Sequence, residues 1–116
     1  MDSVLENALD FSNYQHTLSI QRQTLREKMS AKLTYGFNGG IFKIDRALIT
    51  FVQMLIDQGR SSGVPLLDAN DTPVLIDNLE IFRDEIFDRY FSATLEYHEH
   101  YENIKKSRSV EKLLKI

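Results

Sequence analysis

The sequence contains no cysteine. Disulfides, thiolate metal sites and cysteine nucleophiles are therefore excluded, and the absence is compatible with a reducing cytosol. Backbone breakers are scarce, with two prolines and five glycines in 116 residues. Neither occurs before Gly36, so nothing local interrupts a long N-terminal helix. No apolar run approaches the ~20 residues that a membrane span needs. Residues 1–10 are acidic and lack a basic start followed by an apolar stretch, so no secretory signal is expected. A basic surplus is missing as well. The net charge is −3, which gives no general drive toward nucleic acid. There is no G-x-S-x-G, no G-x-G-x-x-G and no Ser/His/Asp order with local support.

What remains is an ordinary globular composition, 42% hydrophobic and 27% charged. The length suits one domain, expected over 1–106, and can bury about two thirds of the unfolded surface. Positions 4, 8, 11, 15, 18, 22, 25 and 29 hold Val4, Ala8, Phe11, Gln15, Leu18, Arg22, Leu25 and Met29. These alternating steps of four and three predict an amphipathic helix over 4–31, roughly 40 Å long. Ser3 and Glu6 have the form of a capping box at its start. Leu79, Phe82, Ile86, Tyr90, Ala93, Tyr97, Tyr101 and Ile104 recur at a step near 3.6 residues and predict a second long helix over 78–106. The two are matched in length. Antiparallel packing would set Arg22, Arg26, Lys28 and Lys32 near Glu80, Asp84, Glu85 and Asp88. The same stripes also suit a dimer or higher assembly.

Between these helices the stretches 33–37 and 40–44 read as strands around Asn38-Gly39, a type I′ hairpin signal. Asp45 is placed to cap a helix over 46–58 that Gly59 ends. The stretches 64–67 and 73–76 read as a second strand pair, joined by the turn-rich Asp68-Ala69-Asn70-Asp71-Thr72. Pro65 and Pro73 cannot donate to a ladder, which suits edge strands. Asp77-Asn78-Leu79-Glu80 resembles another capped helix start. Strand, Ile-Asp, helix thus occurs twice, at Ile44-Asp45 and Ile76-Asp77. This is either an internal repeat or the same capping chemistry used twice. The expected fold is α+β in the order α-ββ-α-ββ-α. Two long antiparallel amphipathic helices flank the hairpin–helix–hairpin middle, whose hairpins can share one small antiparallel sheet.

Several residues invite a chemical reading. Asn38-Gly39-Gly40 lacks the helix that must follow a phosphate loop, so turn chemistry is expected. His98 and Glu102 stand at i, i+4 and could give two metal ligands, with His16 as a third if the helices align; a helix face without metal is the expectation. Asp84, Glu85 and Asp88 could act as paired carboxylates only in a cleft, and a solvated acidic face is expected. Asp68, Asn70 and Asp71 resemble a calcium loop without its bidentate Glu, so they too read as a turn. Tyr90, Phe91, Tyr97 and Tyr101 group on the last helix. Their acidic surroundings oppose nucleic acid and favour packing on the first helix or on another subunit. No cofactor is implied.

The stretch 107–116 reads as a basic amphipathic C-terminal tail. Val110, Leu113, Leu114 and Ile116 accompany Lys105, Lys106 and Arg108, and positions 110, 113 and 114 would share one helical face. Such a segment suits an anchor laid into a partner's groove, or one folded back on its own domain. These seven are the candidate partner-binding residues.

Three stretches, "FNGGIFKIDRALITFVQMLIDQG" (37–59), "VPLLDANDTPVLIDNL" (64–79) and "YENIKKSRSVEKLL" (101–114), resemble small proteins of T-even-like marine tailed phages, of the cyanophage myovirus type. The resemblance covers most of the chain and brings no catalytic residues. It implies a non-enzymatic structural or assembly protein of the head, neck, tail or prohead core, found in the host cytoplasm or the virion. Its partners would be copies of itself or phage structural proteins, not membrane. The alternative is a regulatory adaptor of phage transcription or replication that docks a partner through the tail.

Overall fold

The computed structural model describes residues 2–107. The elements run α1 (Asp2–Lys32), β1 (Thr34–Phe37), β2 (Gly40–Lys43), α2 (Arg46–Asp57), β3 (Val64–Leu67), β4 (Pro73–Ile76) and α3 (Leu79–Lys106). The expected α-ββ-α-ββ-α order is therefore present, with long flanking helices. The hairpins do not merge, however. β1–β2 and β3–β4 remain separate two-stranded antiparallel sheets. The chain forms two compact units, with boundaries between Met29 and Ser30 in α1 and between Thr94 and Leu95 in α3.

The central unit, 30–94, holds most of the buried side chains. Phe42, Ile44, Val52, Ile76, Leu79, Phe82 and Ile86 are its largest fully buried residues. Phe82 is the hub. The rings of Tyr35, Phe37 and Phe42 lie 6.2, 5.3 and 5.2 Å from it, centre to centre. The first hairpin turns at Asn38 (φ 48°) and Gly39 (φ 80°), the positive angles that a type I′ turn requires. Pairing of Phe37 with Gly40 fixes the register and sends Tyr35, Phe37, Gly40 and Phe42 to the inner face.

Helix starts follow capping chemistry. Asp45 Oδ1 accepts from the Leu48 N–H at 2.7 Å and starts α2. α2 ends in a Schellman pattern, with Gly59 at φ 78°, Gly59 N–H donating to Ile56 O and Arg60 N–H to Leu55 O. At α3 the cap is Asn78, whose Oδ1 accepts from Ile81 N–H at 3.1 Å. The Asp77 expected from the repeat thus lies one residue outside the cap, and the two hairpin–helix joins differ in register. α1 already includes Asp2 and Ser3, so Ser3 sits inside the helix and is not its cap.

In the other unit α1 and α3 run antiparallel. Leu18, Leu25 and Ile104 form a small buried cluster, with Tyr14, Tyr97 and Tyr101 packed against it. Arg22 lies over the Tyr101 ring at 5.9 Å. The Tyr14 hydroxyl donates to Ser107 O at 2.8 Å, pinning the end of α3 to the first half of α1. The buried face of α1 differs from the expected stripe. Leu18 and Leu25 are buried and Met29 half-buried, but Val4, Ala8, Phe11, Gln15 and Arg22 are exposed. Tyr14, which falls outside the four-three spacing, takes the place of Gln15. Among the described residues the contact reaches Tyr14, opposite Ser107 just past the end of α3. Among the charges expected to pair between helices, Asp84 takes Arg83 at 3.0 Å and Glu85 takes Arg89 at 2.6 Å, both on α3 itself.

Candidate functional site

The central unit is closed by one carboxylate. Asp68, at the start of the β3–β4 turn, is buried. Its Oδ1 accepts from the Asn70 and Thr72 N–H groups, each at 2.9 Å. Its Oδ2 accepts from Ile41 N–H on β2, also at 2.9 Å. Ala69 N–H returns a bond to Ile41 O at 2.8 Å. The two hairpins are therefore held edge to edge by the Asp68 side chain, this one backbone bond and a bond from Asn38 Nδ2 to Leu75 O at 3.2 Å, in place of a continuous ladder. The bond from Ile41 first, then that from Thr72, holds the carboxyl below its ordinary value; burial opposes them, and Asn70 adds a smaller push downward. Both oxygens are spent on backbone donors, so the Asp68–Thr72 loop is a structural turn, as its sequence predicts.

Next to this junction, Gly40 meets the second hairpin. A Cβ built there would lie 2.5 Å from Val74 Cγ2 and 3.3 Å from Asp68 Oδ2. In "NGG" the middle glycine makes the turn and the last one makes room.

Tyr35, Phe37, Asn38, Asp77, Asn78, Ile81, Phe82 and Glu85 line an open cleft of about 330 Å³. β1 supplies the aromatic wall and the first turn of α3 supplies the floor. Arg89 lies over the Tyr35 ring at 4.3 Å while Glu85 holds its Nε at 2.6 Å. The cleft thus offers acceptors beside an aromatic wall, a surface that suits docking of a side chain with donors.

The outward side of the second hairpin is apolar throughout. Register and pleat place the cross-strand pairs Pro65↔Leu75 and Leu67↔Pro73 on one face, all exposed. Leu67 and Leu75 are 62% and 56% exposed. An antiparallel sheet with one face in water ordinarily alternates apolar with polar residues. Here Val64, Leu66, Val74 and Ile76 fill the inner side and the outer side is apolar as well. The signal was present in the unbroken "VPLL" and "PVLI", but strand assignment alone does not show which half is covered.

Of the residues singled out from sequence, Lys105 and Lys106 are exposed in the last turn of α3. Arg108, Val110, Leu113, Leu114 and Ile116 lie outside the described residues. His16 and His98 are exposed, and His100 stands 3.7 Å from Glu96 on its own helix. No group of three His, Cys, Asp or Glu that could hold a metal comes together among the described residues. No helix among them is long and apolar enough to cross a membrane. Tyr97 and Tyr101 pack on α1 as expected, whereas Phe91 stacks on Phe87 at 6.5 Å with both rings more than half exposed. The aromatic cleft and the apolar hairpin face were not among the sequence candidates. Comparison with known proteins finds no family model, no curated protein and no solved structure that matches this chain.

Proposed function

We propose that this chain is a non-enzymatic structural or assembly protein that works through protein–protein contacts, in the tailed-phage virion setting that its sequence resembles. The observation that carries this reading is the outward face of the β3–β4 hairpin, where Pro65, Leu67, Pro73 and Leu75 stand exposed together. An apolar sheet face without polar alternation is stable in water when another surface covers it. Pro65 and Pro73 remove donors from the strand edges, so the contact uses side chains on the face and not strand addition. The partner is a second copy of the chain or a virion protein with an apolar patch.

The test combines light scattering across a concentration series with pull-down of phage structural proteins from infected lysate. The wild-type chain should be an oligomer or hold one defined virion component. Leu67→Glu/Leu75→Glu should lose that contact with an unchanged circular-dichroism spectrum. A monomer at all concentrations that holds no virion protein would end this reading.

A further inference from the structure

The cleft between β1 and the first turn of α3 combines an aromatic wall with charge of one sign. The half-buried rings of Tyr35 and Phe37 form the wall, and the buried ring of Phe82 backs them. Its lining includes two carboxylates, Asp77 and Glu85, and no lysine, arginine or histidine among the described residues. A ring face attracts a cation through its quadrupole, and a carboxylate beside it adds to that attraction. At about 330 Å³ the cleft stands at the small end of ligand sites, which suits one long side chain.

One such recognition already exists within the chain. Arg89 lies 4.3 Å from the centre of the Tyr35 ring, and Glu85 accepts from its Nε at 2.6 Å. Tyr35 and Glu85 both line the cleft, so a ring and a carboxylate at its border hold one guanidinium. Asp77 is exposed and makes no ion pair among the described residues. The Asn38 amide is oriented by the bond from its Nδ2 to Leu75 O, which leaves Oδ1 as its acceptor. The N-terminus of α3 by itself favours an anion, and Asp77 and Glu80 already supply that charge. What the cleft lacks is a cation. A planar guanidinium stacks on a ring and pairs with a carboxylate through two parallel bonds. An ammonium is a compact, strongly hydrated charge that an open cleft does not strip of water.

We propose that this cleft takes an arginine side chain presented by a partner protein, its guanidinium stacked on the wall of Tyr35 and Phe37 and paired with Asp77. Different residues carry the hairpin-face reading, and neither claim needs the other.

The probe is the peptide acetyl-Gly-Arg-Gly-amide, titrated into the isotope-labelled full chain and followed by amide chemical shifts. The citrulline peptide is the neutral isostere and the lysine peptide the second cation. The result expected is saturable shifts at 35–38 and 77–85 with a millimolar Kd, binding about threefold weaker for lysine, and none for citrulline. Asp77→Asn should weaken the arginine peptide about fivefold, as one partly exposed charge pair does, with an unchanged urea midpoint. Shifts that do not saturate, or that spread along the acids of α3 alike for arginine and lysine, would mean general charge attraction and would overturn the proposal. So would equal affinity for the lysine or citrulline peptide, wild-type affinity in Asp77→Asn, or no shift at all.

Discussion

A methyl group added at Gly40 tests how the two hairpins are held together. The new Cβ would sit 2.5 Å from Val74 Cγ2, against about 3.5–4.0 Å for ordinary carbon contacts. Moving toward the turn is blocked by Asp68, whose Oδ2 and Cβ lie at 3.3 and 3.4 Å and whose carboxylate is tied to three backbone donors. Val74 is itself buried, 5% exposed. Overpacking of this kind costs about 1–3 kcal/mol. Against it stands the ~0.4–1 kcal/mol that Gly→Ala gains by restricting the unfolded chain, available because Gly40 is outside the left-handed region. Gly40→Ala should therefore destabilise by about 1–2 kcal/mol net. Val74→Ala removes the obstructing methyls at a cost of about 2 kcal/mol in transfer and cavity terms. In the double variant the methyl added at Gly40 enters the vacated space, so the loss should fall short of the sum by about 1.5–3 kcal/mol. Urea unfolding of the four proteins, with equal slopes, gives this coupling. Additivity within about 0.5 kcal/mol would refute the close-approach argument.

Further predictions concern the core, the caps and the junction. Phe82→Ala empties the centre of the Tyr35–Phe37–Phe42 cluster and should cost about 3–5 kcal/mol in the same assay. Asp45→Ala and Asn78→Ala remove the observed helix caps and should each cost about 1 kcal/mol; Asp77→Ala should cost less than Asn78→Ala, and the reverse order would restore the exact repeat. The Asp68 carboxyl is depressed in the folded state, so its contribution is complete above the unfolded value, near 3.8, and is lost as pH falls below that toward the folded value. Asp68→Asn should accordingly be less stable than wild type at neutral pH, with the gap narrowing below about pH 4; a gap that does not change with pH would contradict the charged clamp.

Local signals were legible wherever the cause is local. Asn38-Gly39 specifies its turn because both residues accept positive φ, and Gly59 ends α2 for the same reason. The α3 stripe from Leu79 to Ile104 is buried or half-buried at every position read from the sequence, because that helix meets packing along its length. α1 shows the opposite. Its apolar spacing was equally regular, yet Val4, Ala8 and Phe11 are exposed. Periodicity reports what a helix can bury, and whether a surface arrives to bury it is not encoded in that helix.

The sequence by itself determined the element order, the hairpin turns, the presence of capped helix starts and the face of α3 that packs. These follow from backbone sterics and short-range hydrogen bonds. Tertiary structure alone decided which residue of Asp77-Asn78 caps α3 and that two hairpins remain two sheets. It also decided that Asp68 joins them and that Gly40 is small because Val74 approaches it. The last three depend on contact between segments distant in sequence, such as Ile41 and Asp68, 27 positions apart. The apolar side of the second hairpin belongs to both. Its composition is written in "VPLL" and "PVLI", and its exposure is set by the packing of the opposite side against the core.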